Sequence, residues 1–310
     1  GRLTVLTLSN YWLNGILLLG FTLVPIVTLI ATRNPDSGAT RAHRYSVRAR
    51  LPFGSDEVAQ SVRRHVRTVT RTNMWALLAV MVLSLVAFAI VPWRGSPFFL
   101  WGVLVLLLLV VLGGAPLISG LRERLFSPAP TAIRIARGRQ MRTRDYLGPW
   151  RRLTPTVLLA LAIVAVVAAF AWQPVARHRA EPWMLWLCAG ALMLAIAVSV
   201  GTHLAERAVL AQPQPASNTL ELAWDDSFRA DVLGSLRLAA ASAAWISLGV
   251  ATTTLWVSFA PNAEFLYSFP WWALPMLQVL YTLGEGRMRE SLYPEFLAPR
   301  PTLTVGEALT

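Results

Sequence analysis

Two groups of charged side chains offer chemistry. Arg63, Arg64, Arg67 and Arg71 recur three and four residues apart, and Arg134 and Arg137 lie in a second arginine-rich stretch. Guanidinium groups in that pattern bind anions, here acidic lipid headgroups or the acidic surface of a partner protein. Opposed to them are Glu221, Asp225, Asp226 and Asp231, in a segment from His203 to Arg237 whose net charge is −2. Such carboxylates cap helices or dock onto arginines, and simple N-capping by Asp225 or Asp226 is the plainer expectation. His203 and Glu206, three apart, would share a helix face, which is half a metal site at most. Cys188 is the lone cysteine and has no disulfide partner in the chain. No zinc-type His/Cys spacing, P-loop, Gly-x-Ser-x-Gly elbow or His-Glu-x-x-His helix is present, so the chain reads as a non-enzyme without metal or cofactor.

What must position these groups is a set of membrane helices. Of 310 residues, 55% are hydrophobic and only 14% charged, and the mean hydropathy is +0.52, which a soluble surface does not tolerate. Apolar runs long enough to cross roughly 30 Å of hydrocarbon fall near 11–31, 75–92, 99–121, 155–172, 183–202, 238–259 and 268–284. The fold class is therefore an all-α polytopic membrane protein of about seven spans. No charged n-region precedes the first run, which reads as an anchor and not a removed signal peptide. All 28 basic residues are arginine, and the segments 32–74 and 122–154 carry nine each against three and two acids. Arginine near helix ends is retained in the cytoplasm, so both segments belong there, with the N-terminus outside and the C-terminus inside the cell membrane. The opposite connections are short and rich in Trp and Pro, as Trp93, Trp172, Trp183, Trp186 and Trp256 illustrate, and indoles favour the headgroup boundary. The basic loops lack interleaved aromatics and are tethered to an anionic leaflet, so nucleic acid is not the expected partner.

The cytoplasmic segments share a period-two opening: Tyr45 to Leu51, Ala132 to Ala136 and Thr219 to Trp224, starting 87 residues apart. Alternation of this kind predicts short strands. The implied organisation is an anchor helix (1–31), three units (32–121 with hairpin 75–121, 122–202 with hairpin 155–202, 203–284 with hairpin 238–284) and a cytoplasmic tail (285–310). A small three-stranded cytoplasmic sheet would join the units, with Glu221 facing Arg48, Arg50 or Arg134; chance alternation in Arg/Ala-rich loops is the competing reading. Between the first strand and the second span, Ser55 to Val69 is free of Gly and Pro. Ser55 suits an N-cap, and Val58, Val62, Val66 and Val69 fall within a stripe about 90° wide, opposite the arginines. Such an amphipathic helix lies flat on anionic headgroups or packs on the strands.

The stretch Tyr45-Ser-Val-Arg-Ala-Arg-Leu-Pro52, followed by Glu57 to Val66 and a span, resembles a unit of a bacterial family of multi-pass proteins. That family is related to the immunity protein against the SDP killing peptide. Leu220 to Arg229 is similar to the short strand ending in Asp-x-Ser-Phe that precedes a later span in those proteins, although the family's Pro-x-His-Phe-Asn-like stretch is absent. The resemblance implies a non-enzymatic membrane protein for peptide resistance, signalling or export. Together these readings lead to an accessory or permease-like subunit of an export or envelope complex, partnered by anionic lipids and a membrane protein or ATPase. A transporter or scaffold for a lipid or hydrophobic peptide is the alternative, and a self-contained immunity protein a third.

Overall fold

The computed structural model describes residues 2–90, 113–114, 116–118, 141–176, 178–213, 216 and 218–259. It is mostly helical: α1 (Arg2–Ala31), α2 (Pro35–Ala49), α3 (Asp56–Ile90), the single turn α4 (Thr143–Tyr146), α5 (Pro149–Trp172), α6 (Pro182–Ala211) and α7 (Thr219–Phe259). α3, α5, α6 and α7 are each long and apolar enough to cross a membrane. This is a membrane protein. Expected spans 75–92, 155–172, 183–202 and 238–259 fall in these helices, apart from the last two residues of the first of them, while 268–284 and almost all of 99–121 lie outside the described residues.

Two helices outrun the bilayer. At 1.5 Å per residue α3 and α7 reach about 52 and about 62 Å, against a hydrocarbon layer of ~30 Å. The amphipathic segment from Ser55 to Val69 is thus neither a separate helix nor flat on the surface, but about the first four turns of α3. Ser55 starts it, its Oγ accepting from the Val58 amide at 3.3 Å, and Asp56 and Glu57 occupy the favourable anionic first turn. Val58 and Val62 are buried against protein while Arg63, Arg64 and Arg71 face outward.

The expected strands at 45–51 and 219–224 are helical, and no β-strand occurs among the described residues; Ala132 to Ala136 lies outside them. Local capping decides this. Asn34 accepts from the Asp36 amide at 3.0 Å, Pro35 takes the first turn, and Arg50 closes α2 with left-handed φ of 54°. Ala42 and Ala49 are then buried on one face with Tyr45 between them, whereas Val47, which a strand would place beside Tyr45 and Ala49, is 64% exposed. At α7, Asn218 Oδ1 accepts from the Glu221 amide at 2.8 Å and Glu221 Oε1 accepts from Asn218 Nδ2 at 3.3 Å. This reciprocal cap puts Leu220, Ala223 and Trp224 on one helical face. A strand pairing that would set Glu221 opposite Arg48 or Arg50 therefore does not arise, and Arg134 lies outside the described residues.

α7 is the central helix, packed along α5 and α6. Its run Ala239 to Ala244 is buried throughout, so small side chains let the neighbouring backbones close in. Hydroxyls inside the spans mostly bond back to their own helix, as Thr22 to Leu18 O, Ser84 to Val80 O, Ser199 to Ala195 O and Thr253 to Gly249 O do at 2.7–2.8 Å. They satisfy their polarity locally and leave the surface to lipid. Exposed indoles ring both ends: Trp172, Trp183, Trp186 and Trp256 at one, Trp75 and Trp150 at the arginine-rich other. These two belts place the headgroup boundaries and leave 219–236 and 56–72 outside the hydrocarbon.

Outside it, α2, α3 and α7 meet around Trp224, which is fully buried and donates its indole N–H to Pro52 O at 3.0 Å. Gly54 makes the turn between α2 and α3 with φ of +72°, and a Cβ there would run into Leu220 Cδ2. Removing the indole leaves a cavity at the junction of three helices and an unsatisfied carbonyl. Trp224→Ala is expected to cost about 3–5 kcal/mol, read as a lowered thermal midpoint of the detergent-solubilised chain; an unchanged midpoint would show that the junction does not hold the helices together.

Candidate functional site

The clearest concentration of polar groups sits at the arginine-rich end, where α2, α3 and the extension of α7 converge. Phe53, Tyr45 and Phe228 surround Trp224: Phe53 stacks on it at 5.6 Å between centroids, Tyr45 on Phe228 at 4.7 Å, and His65 tilts against Phe228 at 4.2 Å. The Trp224/Phe228 pair, four apart on one helix, fixes the spacing. At the edge of these rings Asp231 Oδ2 accepts from Tyr45 Oη at 2.5 Å and from Arg48 Nη2 at 2.9 Å, and Arg48 lies 5.0 Å over the Tyr45 ring. Burial first, then the negative charge of Asp231, raise the Tyr45 hydroxyl well above its ordinary titration range, so it remains a protonated donor.

A cavity of about 430 Å³ opens beside this network, lined by Tyr45, Arg48, His65, Asn73, Phe228 and Asp231, with Val66, Val69 and Val232 as its apolar wall. Asn73 Oδ1 is buried without a hydrogen-bond partner. Volumes of this size hold small molecules. A second, smaller cavity of about 200 Å³ lies between α5, α6 and α7, where His203, Thr202 and Arg237 contribute.

Of the residues expected to carry function, Asp231 meets an arginine of the first basic segment, Arg48, and Asp226 meets Tyr146 of the second, so the acidic segment touches both. Glu221 belongs to the cap. Asp225 accepts from Arg229 at 2.9 Å, and Arg229 in turn donates to Val209 O and Pro213 O, tying the carbonyl end of α6 to α7. Asp226 is fully buried and accepts from Tyr146 Oη at 2.9 Å, anchoring α4. Neither aspartate caps a helix start, because α7 begins at Thr219 and not beyond them. Arg67, although exposed, donates to Thr32 O at 3.1 Å, at the carbonyl end of α1, a natural seat for a cation. Arg63, Arg64 and Arg71 are exposed, and Arg134 and Arg137 lie outside the described residues. Glu206 faces Arg237, which donates through Nη2 at 2.6 Å, and so does not join His203. Among the described residues no three His, Cys, Asp or Glu side chains gather as metal ligands.

Sequence reasoning missed Tyr45, His65, Asn73 and Phe228. The signal was present: His65 and Asn73 fall on the same face of α3 as Val58, Val62, Val66 and Val69, and a polar residue inside an apolar stripe marks a site.

No protein-family model matches this chain, and no curated protein or solved structure shows significant similarity to it. Function must come from the geometry.

Glu206 is almost fully buried, so stranding Arg237 beside a lost carboxylate is costly. Glu206→Ala should lose about 3–5 kcal/mol, and replacing both partners by Leu should recover most of it; equal losses in the single and double variants, by chemical denaturation, would show no coupling. For Tyr45, a raised folded pKa means stability is intact below the unfolded value near 10.0 and falls above it, as the folded state holds a proton the unfolded state has released. Tyr45→Phe should flatten that alkaline loss in a pH series of thermal midpoints.

Proposed function

We propose that this chain is a non-catalytic membrane protein that works by association, as an accessory or permease-like subunit of an export or envelope complex in the cell membrane. In this reading the arginine-rich end is cytoplasmic, the N-terminus is outside, and segments 99–121 and 268–284 complete seven spans around the described helices. The observation that carries it is the helical platform outside the hydrocarbon. α3 and α7 continue past the apolar layer and are locked to α2 by the Trp224 cluster. A chain that only needed to sit in lipid would have no use for two helices so much longer than the bilayer is thick.

The platform presents exposed arginines, Arg63, Arg64 and Arg71, and these suit two neighbours at once: the anionic inner leaflet and an acidic face of a membrane or ATPase partner. The interfacial cavity favours a second reading, a scaffold that holds a lipid while it associates. A peptide-immunity or signalling role is supported by the sequence resemblance alone.

Gentle solubilisation followed by mass spectrometry of everything retained in stoichiometric amount tests the proposal. A companion subunit is expected. Its recovery should fall several-fold, at unchanged thermal midpoint, when Arg63, Arg64 and Arg71 are all replaced by Gln, since exposed side chains contribute little to folding. Recovery of the chain alone under every mild condition would contradict the association reading.

A further inference from the structure

One face of α3 carries three arginines and no acid to answer them. Arg64, Arg67 and Arg71 recur three and four residues apart, so they stack along the helix with about 5–6 Å between successive β-carbons. All three are exposed, and from Val58 to Ile90 the helix contains neither Asp nor Glu. None of the three forms an ion pair among the described residues. The acid closest in sequence to the end of α1, Asp36, sits in the first turn of α2, where its charge favours that helix start. Arg67 spends only its Nε on Thr32 O, and no acceptor among the described residues takes its Nη groups. Guanidinium groups one turn apart with no anion between them repel, and more strongly where lipid thins the water around them. A phosphate oxygen pair is the acceptor whose charge and geometry relieve this.

The same face continues below the arginines. Trp75, Ala79, Val82 and Val86 follow Arg71 at steps of four, four, three and four residues, and all are exposed, Trp75 to 57% and Val86 to 51%. Arg71 stands one turn, about 6 Å, above Trp75, whose indole marks the headgroup boundary. From Trp75 to Val86 the helix runs about 16 Å, the depth of one leaflet in a hydrocarbon layer of ~30 Å. The bond from Arg67 sets the level independently, because Thr32 directly follows Ala31, the last residue of α1, and Arg33 adds a further exposed guanidinium beside it. Read downward, the face offers positive charge, an indole and then apolar side chains. An anionic phospholipid presents phosphate, glycerol and acyl chain in that order.

Other anions use only part of this surface. A free phosphate would engage the arginines and leave the face below Trp75 without a role. An acidic protein segment arriving from the water would do the same. A zwitterionic lipid would bring its ammonium beside three guanidinium groups, with no carboxylate on this face to receive it.

We propose that this face of α3, flanked by the end of α1, is a binding site for one anionic phospholipid, its phosphate between Arg67 and Arg71 and an acyl chain along Val82 and Val86. The site rests on the part of the association reading that sets the arginine-rich end against the anionic leaflet, and it needs no protein companion.

Native mass spectrometry of the full chain in detergent, with phosphatidylglycerol or phosphatidylcholine of equal chain length added, tests the proposal. Phosphatidylglycerol should bind about tenfold more tightly, the scale of two arginines acting on an anionic headgroup. Arg64→Gln combined with Arg71→Gln should abolish that preference; Arg67 is left in place because it also ties α1 to α3. Arg44→Gln combined with Arg63→Gln removes the same charge from exposed positions off this face and should keep the preference. Thermal midpoints establish that both double variants are folded. Millimolar glycerol phosphate, which offers the anion without its chains, should leave the lipid bound. Equal binding of the two lipids, a preference that survives in folded Arg64→Gln/Arg71→Gln, an equal loss in the Arg44→Gln/Arg63→Gln control, or displacement by glycerol phosphate would each overturn the proposal. Selective lipid binding by a chain that recovers no companion would sustain the site while the association reading failed, and a companion recovered without lipid selectivity would do the reverse.

Discussion

Burial of the Trp224 indole outside the membrane is the interaction on which the arrangement of this protein turns. Within the bilayer, helices gain nothing from hiding apolar surface from lipid tails, and α5, α6 and α7 rely on small-residue contact and back-bonded hydroxyls. Outside it the hydrophobic effect returns. An indole removes roughly 150–250 Å² from water, worth about 4–6 kcal/mol at 25 cal/mol per Å², and here it does so at the meeting point of α2, α3 and α7. Its N–H bond to Pro52 O fixes the turn that Gly54 makes possible. The aromatic cluster, the Asp231 network and the interfacial cavity all depend on that meeting.

Charge follows the same division. The ionic contacts described above lie at or beyond the arginine-rich belt, where partial hydration lowers the cost of holding an ion. Arg229 and Arg67 are used as ties, each closing the carbonyl end of a preceding helix, α6 and α1 respectively. Asp231 reaches across to α2 and lines a cavity, Asp226 reaches across to α4, and Asp225 pairs along α7. The acidic segment therefore ties different elements together with different residues, a distinction that net charge does not reveal.

Much of this was legible in the residues. The apolar runs place four spanning helices, Ser55 marks the start of α3, and the valine stripe marks its packed face. The strands were misread because alternation over six or seven residues competes with helix signals just outside the window: Asn34-Pro35-Asp36 before one stretch and Asn218 with Glu221 around the other. Capping satisfies amides that would otherwise be orphaned, and it outweighs a short period-two pattern that contains a single β-branched residue, Val47, in the first case. The cavity was hidden for another reason. Asn73 and His65 belong to α3, whereas Asp231 is more than 150 residues further on, and only the docking of α7 against α3 brings them together. Sequence spacing holds no trace of that contact.

The central claim is that α2 is a helix docked in a folded platform beyond the bilayer, and it is tested most directly by spin-label accessibility. Labels placed singly from residue 42 to residue 51 of the reconstituted chain, with the buried lone thiol Cys188 replaced by Ser, would report exposure residue by residue. A helix docked through Ala42, Tyr45 and Ala49 predicts accessible labels at 43, 44, 47 and 48 and protected ones at 45 and 49. Protection at 45, 47, 49 and 51 with exposure at 46, 48 and 50 would be the signature of a strand and would contradict the account.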